Sequence, residues 1–293
     1  MPETTVPAHA KINLALEVLG RRDDGFHDID TIIVPIDWND SLVIGIDPSN
    51  STEIVLEISG PSGPAVPTGV ENLAHKAAVL VAGLLGRAVR ITIRLRKEIP
   101  PGSGMGGGSS DAAAVLIAAG RLAPDLGAEL ADHELYEAAC RLGSDVPAAL
   151  ADRPCHVRGR GERIEVARVP GLDIVVAVAG RSGTGPVYAA VDHFTDGARV
   201  EALAATLAAG HFPDDAAMGS DLEAAAAVVH PDLAVALARL RAAVGDRTWH
   251  LTGSGGAAFA VVDGRSAAEE TAAQVLAAGF PARACRSIAN GEH

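Results

Sequence analysis

The sequence predicts an α+β protein in two lobes: an antiparallel or mixed sheet with helices in the N-terminal lobe, and a smaller α+β C-terminal lobe. Three observations predict it. Near the N-terminus apolar residues fall at every second position, the period of half-buried strands. Farther along, helical spacings alternate with short extended segments. The 293 residues also exceed the size at which one hydrophobic core stays favourable, so two lobes are expected, residues 1–165 and 166–293.

The alternation runs through Val6, Ala8, Ala10, Ile12, Leu14, Leu16 and Val18, which puts His9, Lys11 and Asn13 on the opposite face of a first strand. Residues 21–28 are polar and contain the turn signal Asp24-Gly25, and residues 29–36 and 41–46 read as two further strands. Three prolines and two glycines mark residues 61–69 as a loop. Asn72 is placed to cap a helix reaching Leu85, and residues 90–97 alternate with Ile91, Ile93 and Leu95 on one face. Helices are expected over 111–122 and 134–142, with Pro147 just past the second. A strand over 173–179 opens the C-terminal lobe. Helices over 187–194, 200–209, 222–229, 233–244 and 266–278 follow, with extended segments at 248–251 and 257–262.

Hydrophobic residues make up 48% of the chain and charged residues 21%, enough apolar material for a packed core. The formal net charge of -13 repels polyphosphate and anionic lipid, so neither nucleic acid nor a membrane is an expected partner. Any anionic ligand must be held by a local group of donors. Cys140, Cys155 and Cys285 form no C-x-x-C pair and suggest neither a disulfide framework nor a zinc site. With no signal-peptide pattern over residues 1–10 and no apolar run of membrane-spanning length, a cytoplasmic location is expected.

The run Pro100-Pro-Gly-Ser-Gly-Met-Gly-Gly-Gly-Ser-Ser-Asp111 carries the most information. Five glycines in seven residues are unfavourable in backbone entropy unless the chain needs positive φ or close approach to another group. A phosphate fits, because successive N–H groups can converge on it and the following helix offers its positive end over residues 109–112. No lysine follows the glycines, which excludes the G-x-x-x-x-G-K-[ST] loop. The G-x-G-x-x-G match at Gly102, Gly104 and Gly107 is a weak pattern, set in an antiparallel context behind Pro100-Pro101. The bland alternative is a flexible surface loop, but a free linker rarely ends at a well-formed helix start.

With Pro101 leading into this loop and Asp111-Ala-Ala113 leaving it, the stretch resembles the signature of the GHMP-type small-molecule kinases. The resemblance implies a two-lobed kinase fold with its active site in the cleft between the lobes, and ATP with Mg²⁺ as cofactors. The nucleotide-binding residues it implies are Pro101, Gly102, Ser103, Gly104, Met105, Gly106, Gly107, Gly108, Ser109, Ser110 and Asp111, with Lys97 near the adenine. Magnesium is expected through the ATP phosphates, with Ser110 as a candidate contact. Within the family the likeness narrows to the branch that phosphorylates the C2 hydroxyl of 4-diphosphocytidyl-2-C-methyl-D-erythritol in non-mevalonate isoprenoid synthesis. Four segments carry it: Ala8-His-Ala-Lys-Ile-Asn-Leu14, Arg22-Asp-Asp-Gly-Phe-His27, Leu142-Gly-Ser-Asp-Val-Pro147 and Leu251-Thr-Gly-Ser-Gly-Gly-Ala257.

That likeness implies Asp145 as catalytic base and Lys11 as the cation that orients and stabilises the transferred group. Asn13, Phe26, His27, Thr184, Tyr188, Gly253, Ser254 and Gly255 are implied to line the cytidine diphosphate substrate's site, the cytosine lying between Phe26 and Tyr188 and bonded by His27. Taken alone, Lys11 reads as a solvated surface charge, Asp145 as a helix cap, Phe26 and Tyr188 as core aromatics, and residues 252–256 as a plain hairpin turn. Two departures stand out: phenylalanine where many relatives have tyrosine at 26, and Ser220-Asp-Leu-Glu223 where the family has asparagine first. Other enzymes of the same family, acting on mevalonate, homoserine or a sugar, and a nucleotide-binding regulator without turnover are the alternatives. A monomer or weak homodimer is expected.

Overall fold

The structure is a computed structural model and describes residues 2–288. In chain order its strands and helices are β1 (Glu3–Arg21), β2 (His27–Pro48), β3 (Glu53–Ser59), α1 (Leu73–Leu84), β4 (Val89–Arg96), α2 (Gly107–Leu122), α3 (Asp132–Leu142), α4 (Val146–Ala151), β5 (Cys155–Gly159), β6 (Arg163–Val166) and β7 (Asp173–Val178). They continue with α5 (Thr184–Ala189), α6 (Ala198–Ala208), β8 (Gly219–Ser220), α7 (Leu222–Val229), α8 (Pro231–Ala243), β9 (His250–Leu251), β10 (Ala257–Val262), α9 (Arg265–Ala277) and β11 (Ala282–Arg286). Among the described residues no helix is long and apolar enough to cross a membrane.

Two compact units interleave along the chain. The first joins the residues up to Ala10 with Asn39–Pro101 and Gly106–Asp152. Its strand order is β3-β4-β2-β1; β3 runs parallel to β4, and β2 runs antiparallel to it in the register Leu42↔Leu95 and Ile44↔Ile93. The alternation predicted for residues 90–97 is realised, with Val89, Ile91, Ile93 and Leu95 buried. They pack with Ala74, Ala78 and Val81 of α1 and with Val115 and Leu116 of α2. Asn72 caps α1 as expected, its side chain accepting from Ala74 N at 2.8 Å.

The second unit joins Lys11–Trp38, Gly102–Met105 and the chain from Arg153 onward. Here β5 pairs antiparallel with β2 and with β6, and β8 lies parallel to β1 through Ala15↔Gly219. A second sheet, in the order β11-β7-β10-β9, is covered by α9, with Val175, Ala258, Ala268 and Val275 in one core.

Several elements differ from expectation. Residues 29–36 and 41–46 form one 22-residue strand, the stretch between them staying extended and burying Trp38 and Asp40. Helix α2 starts at Gly107, inside the glycine run, with Gly106 as a left-handed N-cap at φ 70°. Pro147 lies just past α3 as expected, and it sits in the first turn of a further short helix, α4, where its missing N–H has no cost. The helix expected over 187–194 is instead α5, over Thr184–Ala189. Strands β3, β5, β6, β8 and β11 and helix α4 escaped the sequence reading.

Candidate active site

In the second unit β1 carries Lys11 and Asn13 into a buried polar network. Lys11 is 8% exposed, which removes its reading as a solvated charge. Its Nζ donates to Asn13 Oδ1 at 2.7 Å, Asn13 Nδ2 donates to Thr31 Oγ1 at 2.9 Å, and Thr31 Oγ1 donates to the Ala15 carbonyl at 2.6 Å. The chain places this network against its second glycine loop. Thr252 Oγ1 accepts from Asn13 N at 2.9 Å, and a Cβ on Gly253, whose φ is +56°, would stand 3.2 Å from Asn13 Oδ1 and 3.4 Å from Lys11 Nζ. Residues 252–256 are therefore more than a hairpin turn.

The first half of the first glycine run meets that second loop within the same unit. Lys11 N donates to the Met105 carbonyl at 3.0 Å, and Ser182 N to the Gly102 carbonyl at 2.8 Å. Ser182 Oγ donates to the Ser254 carbonyl at 2.7 Å, while the Thr184 and Ser254 hydroxyls pair at 3.1 Å. Ser220, at the departure from the family pattern, donates its hydroxyl to the Gly253 carbonyl at 3.0 Å and accepts from Leu222 N. It holds the second loop in place.

His27, at the start of β2, lies 5.4 Å ring to ring from Tyr188 and 6.3 Å from Phe194. Burial first, and the charge of Arg21 second, hold its pKa below the usual histidine value, so the ring is neutral at pH 7. Phe26 is 48% exposed with the Arg160 guanidinium 5.1 Å above its ring, an arrangement that removes its core-aromatic reading. Phe26 N donates to Asp24 Oδ1 at 3.1 Å, which fixes the turn.

In the first unit the glycine run becomes the start of α2. Gly108 is exposed, whereas Ser110 and Asp111 are buried; Ser103 and Met105, in the other unit, are buried too. Ser110 Oγ donates to the His9 carbonyl at 2.6 Å, so its hydroxyl proton points inward. Lys97 Nζ donates to Asp111 Oδ2 at 2.7 Å and to Asp40 Oδ2, with all three side chains 3% exposed or less. Burial drives the Asp111 carboxyl up to about 7 against the opposing pull of Lys97, and Asp111 Oδ1 has no hydrogen-bond partner among the described residues. Asp145 occupies the N-cap position of α4 without making a side-chain cap bond. The capping role that its sequence context suggests is not the one it performs.

Sequence reasoning missed Thr31, Asp40, Ser182 and Phe194. Asp40 had a signal, a charged residue interrupting an apolar strand. Thr31 and Ser182 had none, because their partners lie far away in sequence.

For a phosphate-bearing cofactor the fit is specific. Gly102 and Gly104 adopt φ of 75° and 79°, and the first-turn amides of α2, unpartnered by helix geometry, follow Gly106. A Cβ at Gly108 would meet only Leu73 Cδ1, at 3.7 Å, so protein packing gives no reason for glycine there.

A family model described as the N-terminal domain of GHMP kinases matches residues 72–159. The chain is 41% identical over 271 residues to the 4-diphosphocytidyl-2-C-methyl-D-erythritol kinase of Symbiobacterium thermophilum, covering 89% of this chain and 92% of the relative. It is 38% identical over 275 residues to the enzyme of that name from Thermus thermophilus, covering 93% and 92%. A solved 4-(cytidine 5'-diphospho)-2C-methyl-D-erythritol kinase is similar with a TM-score of 0.79 at 35% identity, over 98% of this chain and all of that one. The homoserine kinase of Cytophaga hutchinsonii, with a TM-score of 0.71 at 17% identity over 99% and 95%, shares the fold alone.

Proposed function

This chain belongs to the GHMP kinase family, among the 4-diphosphocytidyl-2-C-methyl-D-erythritol kinases, and from that premise we propose how its residues divide the work of phosphorylating the C2 hydroxyl of that substrate. ATP, with Mg²⁺ carried on its phosphates, supplies the γ-phosphoryl group. Asp145, at the N-terminal end of α4, accepts the hydroxyl proton. Lys11 stabilises charge on the transferred group, and its bond to Asn13 fixes where its ammonium points. Gly102, Gly104 and Gly106–Ser109, the exposed and half-buried residues of the loop, offer backbone N–H groups to the phosphates. The inward donation of the Ser110 hydroxyl favours Ser109 over Ser110 as a metal contact.

The substrate's cytosine lies between Phe26 and Tyr188 and is bonded by His27, whose ring is 5.4 Å from that of Tyr188, with Thr184 also lining the pocket. Residues 1–165 thus supply the nucleotide loop and the base, and residues 166–293 supply Thr184, Tyr188 and the loop around Ser254. The cytoplasm is the expected compartment. The observation that carries the reading is the buried Lys11–Asn13 pair held against Gly253, because a lysine so placed serves neither solubility nor packing.

ADP release from Mg-ATP across a panel of alcohols tests it, with the cytidine-linked erythritol alone expected to turn over. Asp145→Asn and Lys11→Ala are each expected to lower kcat by at least about 100-fold, within the range of general-base and charge-stabilising contributions. Near-normal turnover in either variant, or faster turnover of mevalonate or homoserine, would sink the proposal.

A further inference from the structure

Asp40 sits in the middle of β2, wholly buried, where an apolar residue would serve the strand better. Its Oδ1 accepts from Glu98 N at 2.6 Å and from Ile99 N at 2.9 Å, and its Oδ2 accepts from Lys97 Nζ. Lys97 is also tied by its backbone, its N–H to the Ser59 carbonyl at 2.9 Å and its carbonyl to Ser62 N at 3.1 Å. The chain is therefore fixed at 97, 98 and 99, immediately before the glycine run. On the far side of that run the same ammonium holds Asp111, in the second turn of α2. Gly107 belongs to this arrangement: a Cβ there would stand 3.0 Å from Lys97 Nζ and 2.9 Å from Ile99 Cγ2, so glycine lets the helix start descend onto Lys97.

One cation shared between two buried carboxylates is a poor source of stability, and an apolar replacement of the same volume often serves as well. Its use is geometric. Two of the ammonium's three donors go to Asp40 and Asp111, which also argues against Lys97 as an adenine ligand.

We propose that Asp40 is a positioning residue for phosphoryl transfer: through Lys97 it fixes both ends of the glycine run and so sets the affinity for ATP without touching it. This rests on the reading of that run as the nucleotide's cradle. Asp40→Asn isolates the link, because the amide oxygen still accepts from Glu98 N and Ile99 N while its NH₂ faces the ammonium. Steady-state KM for ATP, KM for the alcohol, and kcat are measured separately, with ADP affinity by calorimetry and melting temperature alongside. The expected result is a rise of roughly tenfold or more in KM for ATP and in the ADP dissociation constant. The alcohol's KM and kcat are expected to stay within about threefold. Asp111→Asn keeps the Lys97–Asp40 pair and is expected to move the same two quantities by a smaller factor, so it decides the matter if Asp40→Asn does not fold. Equal rises in both KM values, or an ATP KM that moves less than twofold in a folded variant, overturns the positioning role. Wild-type protein that neither binds ADP nor releases it from ATP would instead overturn the kinase reading beneath it.

Discussion

A Cβ on Gly104 would stand 2.5 Å from the carbonyl oxygen of Gly255, with the Thr252 carbonyl at 2.8 Å. Two glycine loops separated by about half the chain thus touch through backbone alone, and Gly104 holds φ +79° as well. Gly104→Ala is expected to destabilise the fold by roughly 2–4 kcal/mol, from left-handed strain and overpacking together. Gly108 is the contrasting case. Helical and exposed, with only an ordinary van der Waals contact to Leu73 for a Cβ, it is expected to tolerate alanine with a gain of up to about 1 kcal/mol. If phosphates lie against it, the same methyl raises KM for ATP. Melting curves and ATP kinetics on the two variants separate fold from ligand, and a stabilised Gly108→Ala enzyme with unaltered ATP kinetics removes the phosphate from this turn.

Why the site was legible in part follows from the kinds of signal involved. Lys11, Asn13 and the glycine runs stand out because each breaks a local rule, a charge on a strand or glycines where entropy disfavours them. The strands with clean alternation and the Asn72 cap rest on period and local hydrogen bonding, which sequence carries directly. Asp40 left a signal as a charge within an apolar strand, but its role was hidden because its partners lie 57 and 58 residues away at Lys97 and Glu98. The helix start at Gly107 was hidden for the opposite reason: glycine disfavours helix intrinsically, and packing against Lys97 and Ile99 overrides that preference.

The Asp111 carboxyl gives a signed pH dependence. Its folded pKa, pushed up to about 7 by burial, lies above the ordinary carboxyl value, so the folded state binds this proton more tightly than the unfolded chain does. That contribution to stability is present below about pH 4 and is lost as pH rises through 7. Lys97 and Asp40 face the same carboxyl, and Asn at 111 removes the titration while leaving their pair. Asp111→Asn is therefore expected to melt higher than wild type at pH 8, with the difference shrinking toward pH 4. A pH-independent difference in melting temperature between the two proteins would contradict the raised pKa.

The cysteines offer a check on the second unit, to which Cys155 and Cys285 both belong. Burial pushes the thiols of Cys155 and Cys285 up to about 11 and about 12, while Cys140 is partly exposed on α3. Since the thiolate is the reactive form, native protein at pH 8 is expected to label at Cys140 alone, the other two reacting only in denaturant. Mass spectrometry after a short iodoacetamide pulse reads this directly, and rapid labelling of Cys155 would mean that the β2–β5 edge opens.

His27 should report on the alcohol and not on ATP. Its ring is kept neutral by burial and by the charge of Arg21, and a neutral imidazole offers one donor and one acceptor to a base edge. With the folded pKa below the usual 6.5, protonation and its penalty arrive only at lower pH. KM for the cytidine-bearing alcohol is expected to stay flat at pH values above the usual histidine range and to rise only below it, while KM for ATP does not follow it. His27→Ala is expected to raise the alcohol's KM roughly tenfold at pH 8, in line with one lost hydrogen bond and its ring contacts, and to abolish the rise at acid pH. A rise beginning above pH 7, or one that survives in the alanine variant, assigns the titration to another group and takes His27 out of base recognition.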